Sequence, residues 1–246
     1  MPFRVWAETH NGTVRTHNED ALISRPEIGL WAVADGAGGH SAGDVASNML
    51  VAALAAIPGD LSGTEMLNAV RVEVASVHAA LLTEAERRGS GTIIASTLVA
   101  LMVRNSHFAC LWAGDSRVYL MRDGVLQQIT RDHSMVQDLV DAGAITAAQA
   151  EHHPQANVIT RAVGGGEECL ELDKVSGALQ AGDRFLLCSD GLSKAIDDDA
   201  IADLLGTGGG GEPATALIAA AIARAARDNV TALVVEVTGV PEAMPA

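Results

Sequence analysis

Basic residues are scarce in this 246-residue chain: 16 Lys and Arg stand against 31 Asp and Glu, a formal net charge of -15. Nucleic acid and anionic membrane surfaces select Lys/Arg patches, so neither is expected as a partner. Cysteine is almost missing. Cys110, Cys169 and Cys188 follow no metal-ligand spacing, two of them sit inside apolar runs that read as buried strands, and they are expected as small core residues. No apolar run reaches the roughly 18 to 20 residues of a membrane span, and the start of the chain lacks a basic stretch followed by an apolar one, so a cytoplasmic protein is expected. Low-complexity linkers are absent too. The Gly-rich tract Gly208 to Gly211 is short enough for a surface loop, which leaves a single domain over residues 1–238 and a frayed tail over 239–246 as the expected organisation.

Two segments have helical periodicity, through Val45, Met49, Leu50, Leu54 and Ile57, then through Leu67, Val70, Val74, Val77 and Leu81. From Thr92 the pattern turns to strands: Ser96 to Val103, Phe108 to Ala113, Arg117 to Met121 and, after the turn Asp123-Gly124, Val125 to Ile129. These read as one antiparallel meander. A short helical stretch from Met135 to His152 interrupts the strands as a flap, strands resume at Leu170 to Val175 and Arg184 to Cys188, a helix opens at Pro213, and Thr231 to Val237 closes the pattern. An α+β domain follows, with helices covering antiparallel sheets.

Carboxylates cluster at the ends of these strands. Asp35 ends the run from Gly29, Asp115 ends the run through Ala113, Asp190 follows Cys188, Asp228 precedes the closing strand, and Glu19 and Asp20 precede Ala21 to Ile23. One Asp at a strand end is ordinary turn chemistry. Several of them, if the strands bring them together, repel one another unless hard cations neutralise them, and oxygen-only ligands favour Mg²⁺ or Mn²⁺ over Zn²⁺.

The blocks around these residues resemble the metal-dependent serine/threonine protein phosphatases of type 2C in their compact bacterial form. They read Val14-Arg15-Thr-His-Asn-Glu19-Asp20, Val33-Ala-Asp35-Gly36-Ala-Gly-Gly-His40, Gly114-Asp115-Ser116-Arg117, Thr130-Arg-Asp132-His133-Ser134, Thr160-Arg161-Ala-Val-Gly164, Leu187-Cys-Ser-Asp190-Gly191 and Asp228-Asn229-Val-Thr231, in the family's order. The resemblance implies a sandwich of two antiparallel β-sheets flanked by helix pairs, with a helical flap over about 135–158 and a two-metal centre holding Mn²⁺ or Mg²⁺. Position by position, Asp35 bridges both metals, the Gly36 carbonyl binds one, and Asp190 and Asp228 complete the other. Glu19 and Asp20 act through metal-bound waters, and Asp115 with Asp190 forms a weaker third site. A water between two metals can attack phosphorus directly, without a protein nucleophile, and the planar fork of Arg15 suits two phosphoryl oxygens.

The leaving serine or threonine oxygen needs a proton. Eukaryotic members place a histidine directly after Asp-Gly, where this chain has Ala37; His40 is the nearest candidate acid. Phosphoprotein substrates, a cognate serine/threonine kinase in the same pathway and a monomeric state are what the resemblance leads one to expect.

Three other readings fit less well. Gly36-Ala-Gly38-Gly39-His-Ser41 could open a dinucleotide loop, but Ser41 takes the third glycine's place and Asp35 would face the pyrophosphate. A cysteine phosphatase needs Cys and Arg six apart, whereas Cys110 and Arg117 are seven apart. A silent phosphoprotein-binding relative would lack a metal ligand, and every matched carboxylate is present.

Overall fold

A computed structural model of the chain describes residues 2–38, 42–89, 91–150, 152–166, 169–206 and 211–239. In chain order its elements are β1 (Phe3–His10), β2 (Asp20–Arg25), β3 (Leu30–Gly38), α1 (Gly43–Ala55), α2 (Gly63–Arg88), β4 (Ile94–Ser96), β5 (Leu98–Arg104), β6 (His107–Ala113), β7 (Arg117–Arg122), β8 (Val125–Gln128), α3 (Met135–Asp141), α4 (Ala147–Ala150), β9 (Asp173–Ala178), β10 (Arg184–Cys188), α5 (Asp190–Ser193), α6 (Asp198–Gly206), α7 (Pro213–Ala223) and β11 (Val230–Val237). One sheet runs β1-β11-β10-β7-β8 and the other β2-β3-β5-β6-β9, with β4 also on β3. Every pairing is antiparallel.

The central strands are apolar on both faces, and alternation explains why. In β3, Trp31 and Val33 join the core between the sheets, while Leu30, Ala32 and Ala34 pack with Leu50 and Leu54 of α1 and Val70, Val74 and Leu81 of α2. In β11, Leu233, Val235 and Val237 face the same inter-sheet core, while Ala232 and Val234 meet Leu192, Ile201, Leu205 and Leu217 of the last three helices. Three stacked cores give the order helices, sheet, sheet, helices, which is the α+β sandwich expected. The first helix pair is well begun: Ser62 and Glu65 satisfy each other's backbone N–H groups in a capping box ahead of α2.

The strand pattern needed correction in four places. The stretch from Ser96 to Ile129 is not one meander: β5 and β6 pair in one sheet, β7 and β8 in the other, and the chain crosses at Gly114-Asp115-Ser116. Gly114 has φ +112, and a Cβ there would lie 2.6 Å from the Thr97 side chain, so the crossing needs glycine. The run beginning at Ser96 breaks at Thr97 into β4 and β5. The strand expected at Leu170 to Val175 lies instead at Asp173–Ala178, where it pairs with β6. An unexpected strand, β1, lines up with β11 from the other end of the chain, Phe3 opposite Val237.

Asp123-Gly124 does form the two-residue turn, with φ of 52° and 78°. Cys110 and Cys188 are buried as expected, but Cys169 is exposed. The helix from Pro213 ends at Ala223, with Arg224 as its C-cap. The flap carries α3 and α4, and its base is closed by the bridge between Ser134 and Ile159. His40, residues 208–210 of the Gly-rich tract and residues 240–246 of the expected tail lie outside the described residues. Among the described residues no helix is long and apolar enough to cross a membrane.

Candidate active site

The carboxylates flagged by the sequence gather at one end of the sandwich because strands from both sheets stop or start there. Asp20 opens β2 directly opposite Asp35 on β3, a like-charge cross-strand pair that destabilises a sheet unless something offsets it. Asp190 starts the short α5 just after β10, and Asp228 stands two residues before β11. Glu19, Asp35, Gly36, Asp190 and Asp228 line a cleft of about 790 Å³, together with Arg15 and Lys194. Asp20 and Asp115 stand behind its wall, both buried.

Backbone and hydroxyl contacts fix these groups. Asp20 Oδ2 accepts hydrogen bonds from Ser189 Oγ at 2.8 Å and Thr231 Oγ1 at 2.6 Å. Thr97 holds the end of β3: its Oγ1 accepts the Asp35 N–H at 3.1 Å and lies 2.7 Å from Ser116 Oγ, while its N–H donates to the Asp35 carbonyl at 2.8 Å. Buried Asn229 ties the Glu19 loop to β11. Its Oδ1 accepts the Glu19 N–H at 2.8 Å, and its Nδ2 donates to the carbonyls of Asn11 at 3.1 Å and His17 at 2.9 Å. Gly36 donates its N–H to the Glu19 carbonyl at 3.1 Å. A Cβ on Gly36 would lie 2.1 Å from the Gly43 carbonyl oxygen, so α1 can approach the acidic turn only past a glycine.

The Thr130 and Thr160 blocks build the wall behind Asp115. His133 Nδ1 accepts the Gly114 N–H at 3.1 Å, and its Nε2 lies 3.2 Å from Asp173, which Arg161 also holds at 2.6 Å. Burial lowers the imidazole pKa in spite of Asp173, and the Nδ1 contact places the proton of the neutral ring on Nε2. Arg117 grips both oxygens of Asp132. His133 and Asp132 are supports of the site, not members of it.

Electrostatically the acidic end is strained. Burial lifts Asp20 to about 6 and Asp115 to about 7, the first helped by the charges of Asp190 and Asp228, the second by Asp190. Burial, then the charges of Asp20, Asp190, Asp115 and Asp228, raises Asp35 well above the usual carboxylate range. Glu19 is raised too, chiefly by burial. Two side chains offset part of this. Arg15 donates from Nε to Asp228 Oδ1 at 2.9 Å and from Nη2 to Oδ2 at 2.8 Å, and Lys194 bonds Asp190. The fork expected to face a phosphoryl group is thus turned onto Asp228.

Among the described residues no three His, Cys, Asp or Glu side chains close into a ready-made ligand cage. The donors nevertheless suit a hard cation. Every one is oxygen, and Asp20 Oδ1 and Asp115 Oδ1 are buried without a hydrogen-bond partner, an arrangement that costs stability unless a ligand completes it. The rival readings fare worse. Burial pushes the Cys188 thiol up to about 12 and Cys110 higher still, which suits neither to act as a thiolate nucleophile. The antiparallel pairing on both sides of β3 excludes a dinucleotide-binding βαβ unit.

The protein phosphatase 2C family profile matches residues 9–208. The chain belongs to the protein phosphatase 2C family. It is 40% identical over 241 residues to the serine/threonine protein phosphatase PstP of Mycobacterium tuberculosis, an alignment that covers 96% of this chain and 45% of PstP, so the chain spans less than half of that relative. Among solved structures it is similar to PppA, a key regulatory component of T6SS in Pseudomonas aeruginosa, with a TM-score of 0.88 and 45% identity over 96% of this chain and 98% of that one. It is also similar to the catalytic domain of PstP in complex with two manganese ions, with a TM-score of 0.85 and 38% identity over 96% of this chain and 99% of that one.

Sequence reasoning identified the acidic residues but not their keepers. Thr97, Ser116 and Ser189 have the composition of ordinary strand ends. Lys194 carries no motif at all, although its position four residues after Asp190 puts both on one side of a helical turn.

Proposed function

We propose that this chain is a metal-dependent protein phosphatase acting on phosphoserine and phosphothreonine. The observation that carries this reading is the convergence of Glu19, Asp20, Asp35, Asp115, Asp190 and Asp228 from separate strand ends on one cleft end, two of them with an unpartnered buried oxygen. Asp35, Asp190, Asp228 and the Gly36 carbonyl would hold two Mn²⁺ or Mg²⁺ ions, with Glu19 and Asp20 behind them. When bound, such a pair supplies positive charge and a water that is nucleophilic near neutral pH. Arg15 would hold phosphoryl oxygens with the same two N–H groups that now grip Asp228. The cleft opens beside Asn157 and Ile159 of the flap region, where a phosphoprotein loop would lie. His40 keeps its place as the proposed proton donor. A cytoplasmic monomer opposing a serine/threonine kinase is the setting this reading favours.

The test is hydrolysis of a phosphothreonine peptide by the purified chain. Turnover is expected only with Mn²⁺ or Mg²⁺, and Asp190→Asn should reduce it by roughly 10²–10³-fold or more. Metal-independent turnover that survives this substitution would sink the proposal.

A further inference from the structure

Only two lysines occur in the whole chain, Lys174 and Lys194, and one of them stands among the site carboxylates. The α5 turn places it there: the Lys194 N–H closes on the Asp190 carbonyl at 2.8 Å, so the side chain returns over the carboxylate four residues back. Its Nζ bonds Asp190 Oδ2, lies 3.6 Å from Asp115 Oδ2 and donates to Asn157 Oδ1 at 2.8 Å. An ammonium has three N–H donors, and three oxygens surround this one. Two belong to the cleft's acidic end, and the third belongs to the flap.

Asp115 and Asp190 are the two carboxylates from which the family resemblance builds a weak third metal site. A divalent ion between them would need both oxygens that Lys194 now faces, and it would stand within a few ångströms of a fixed positive charge. The ammonium is also tethered to the site, so dilution or a chelator cannot remove it.

We propose that in this chain the Lys194 ammonium takes the place of a third divalent cation between Asp115 and Asp190, and that through Asn157 it fastens the flap to the same point. The proposal rests on the metal-dependent reading above, and it limits that reading to two ions per chain. Asp115 gives it a corollary. Its Oδ1 is already buried without a partner, so removing the ammonium leaves two adjacent carboxylates with no protein cation, and these recruit a metal ion instead.

The experiment counts bound Mn²⁺ by equilibrium dialysis and elemental analysis, starting from the chelator-stripped full chain. The wild type is expected to bind two ions, Lys194→Gln three, and Lys194→Gln with Asp115→Asn two again. A third ion in the wild type that Asp115→Asn removes overturns the proposal, as does an unchanged count in Lys194→Gln. Fewer than two ions in the wild type fails the metal-dependent reading itself, a separate outcome. The clasp on the flap has its own readout. Hydrogen exchange at the Met135 and Thr160 amides, which close the flap base, should quicken in both Lys194→Gln and Asn157→Ala, while Asn157→Ala keeps the count at two. Unchanged exchange in both variants removes the clasp.

Discussion

The two carboxylates that flank β10, one buried and one half-buried, are put to opposite uses. At its start, Asp183 is 1% exposed and fully partnered: Arg122 donates to both of its oxygens at 2.7 Å, and the Gln180 N–H adds a bond at 2.8 Å. At its end, Asp190 belongs to a group of six carboxylates touched by two cations among the described residues, Arg15 and Lys194. The first end is a closed ion pair, in which the fold supplies its own counter-charge. The second is left short of positive charge, and two of its carboxylate oxygens have no partner. Burial alone does not separate structure from function here, since Asp20 and Asp115 of the second end are buried as Asp183 is. The balance of charge does.

Two substitutions should pull this comparison apart. Asp35→Asn removes a central carboxylate from the deficient end, so it is expected to lower kcat/KM for a phosphopeptide by roughly 10²–10³-fold or more while raising the Tm of the metal-free chain. Asp183→Ala should leave the metal count unchanged but strand Arg122, costing about 3 kcal/mol, or roughly 10 °C in Tm for a domain of this size. Equal effects of the two on activity would erase the distinction.

Acidity offers the next test. Asp20, lifted to about 6, and Asp115, lifted to about 7, keep protons in the folded chain that the unfolded chain releases near pH 4. The folded state therefore binds more protons between about pH 4 and 7, and stability falls as pH rises through that window. Chelator-treated protein should lose up to about 4 kcal/mol between pH 5 and pH 8. Divalent cations compete with those protons, so Mn²⁺ should raise Tm more at pH 8 than at pH 5. A metal-induced rise in Tm that is the same at both values would contradict the linkage.

Much of this was legible in the sequence, for local reasons. Asp35, Asp190 and Asp228 each stand beside a short apolar run bounded by turn residues, so their place at strand ends follows from pattern alone. Which sheet a strand joins does not. β6 and β7 have the same apolar character on either side of Gly114, and only the partners, β9 and β10 from far along the chain, reveal that they belong to different sheets. β1 was invisible for a related reason: its register depends on β11, at the other end of the sequence. Arg15 could be placed at the site by its motif, but its grip on Asp228 spans 213 positions and has no local signature.

The smallest effect should come from a residue that touches no ligand. Thr97 is buried, and its hydroxyl joins the two halves of the acidic end, accepting the Asp35 N–H from one strand and meeting Ser116, next to Asp115, on the sheet crossing. Thr97→Val keeps the shape and removes the oxygen, so the Asp35 N–H and the Ser116 hydroxyl lose a buried partner at a cost of about 1–3 kcal/mol. If the carboxylates need orienting as well as gathering, Mn²⁺ affinity should fall by about 10-fold, since partners that orient ligands are typically worth 10–100-fold. Turnover at saturating Mn²⁺ should change far less, because Asp35 itself remains. Isothermal titration with Mn²⁺ beside a saturated turnover assay separates the two quantities. An unchanged affinity with a lowered Tm would mean that Thr97 serves only the fold, and that the deficient end needs nothing beyond proximity to hold its cations.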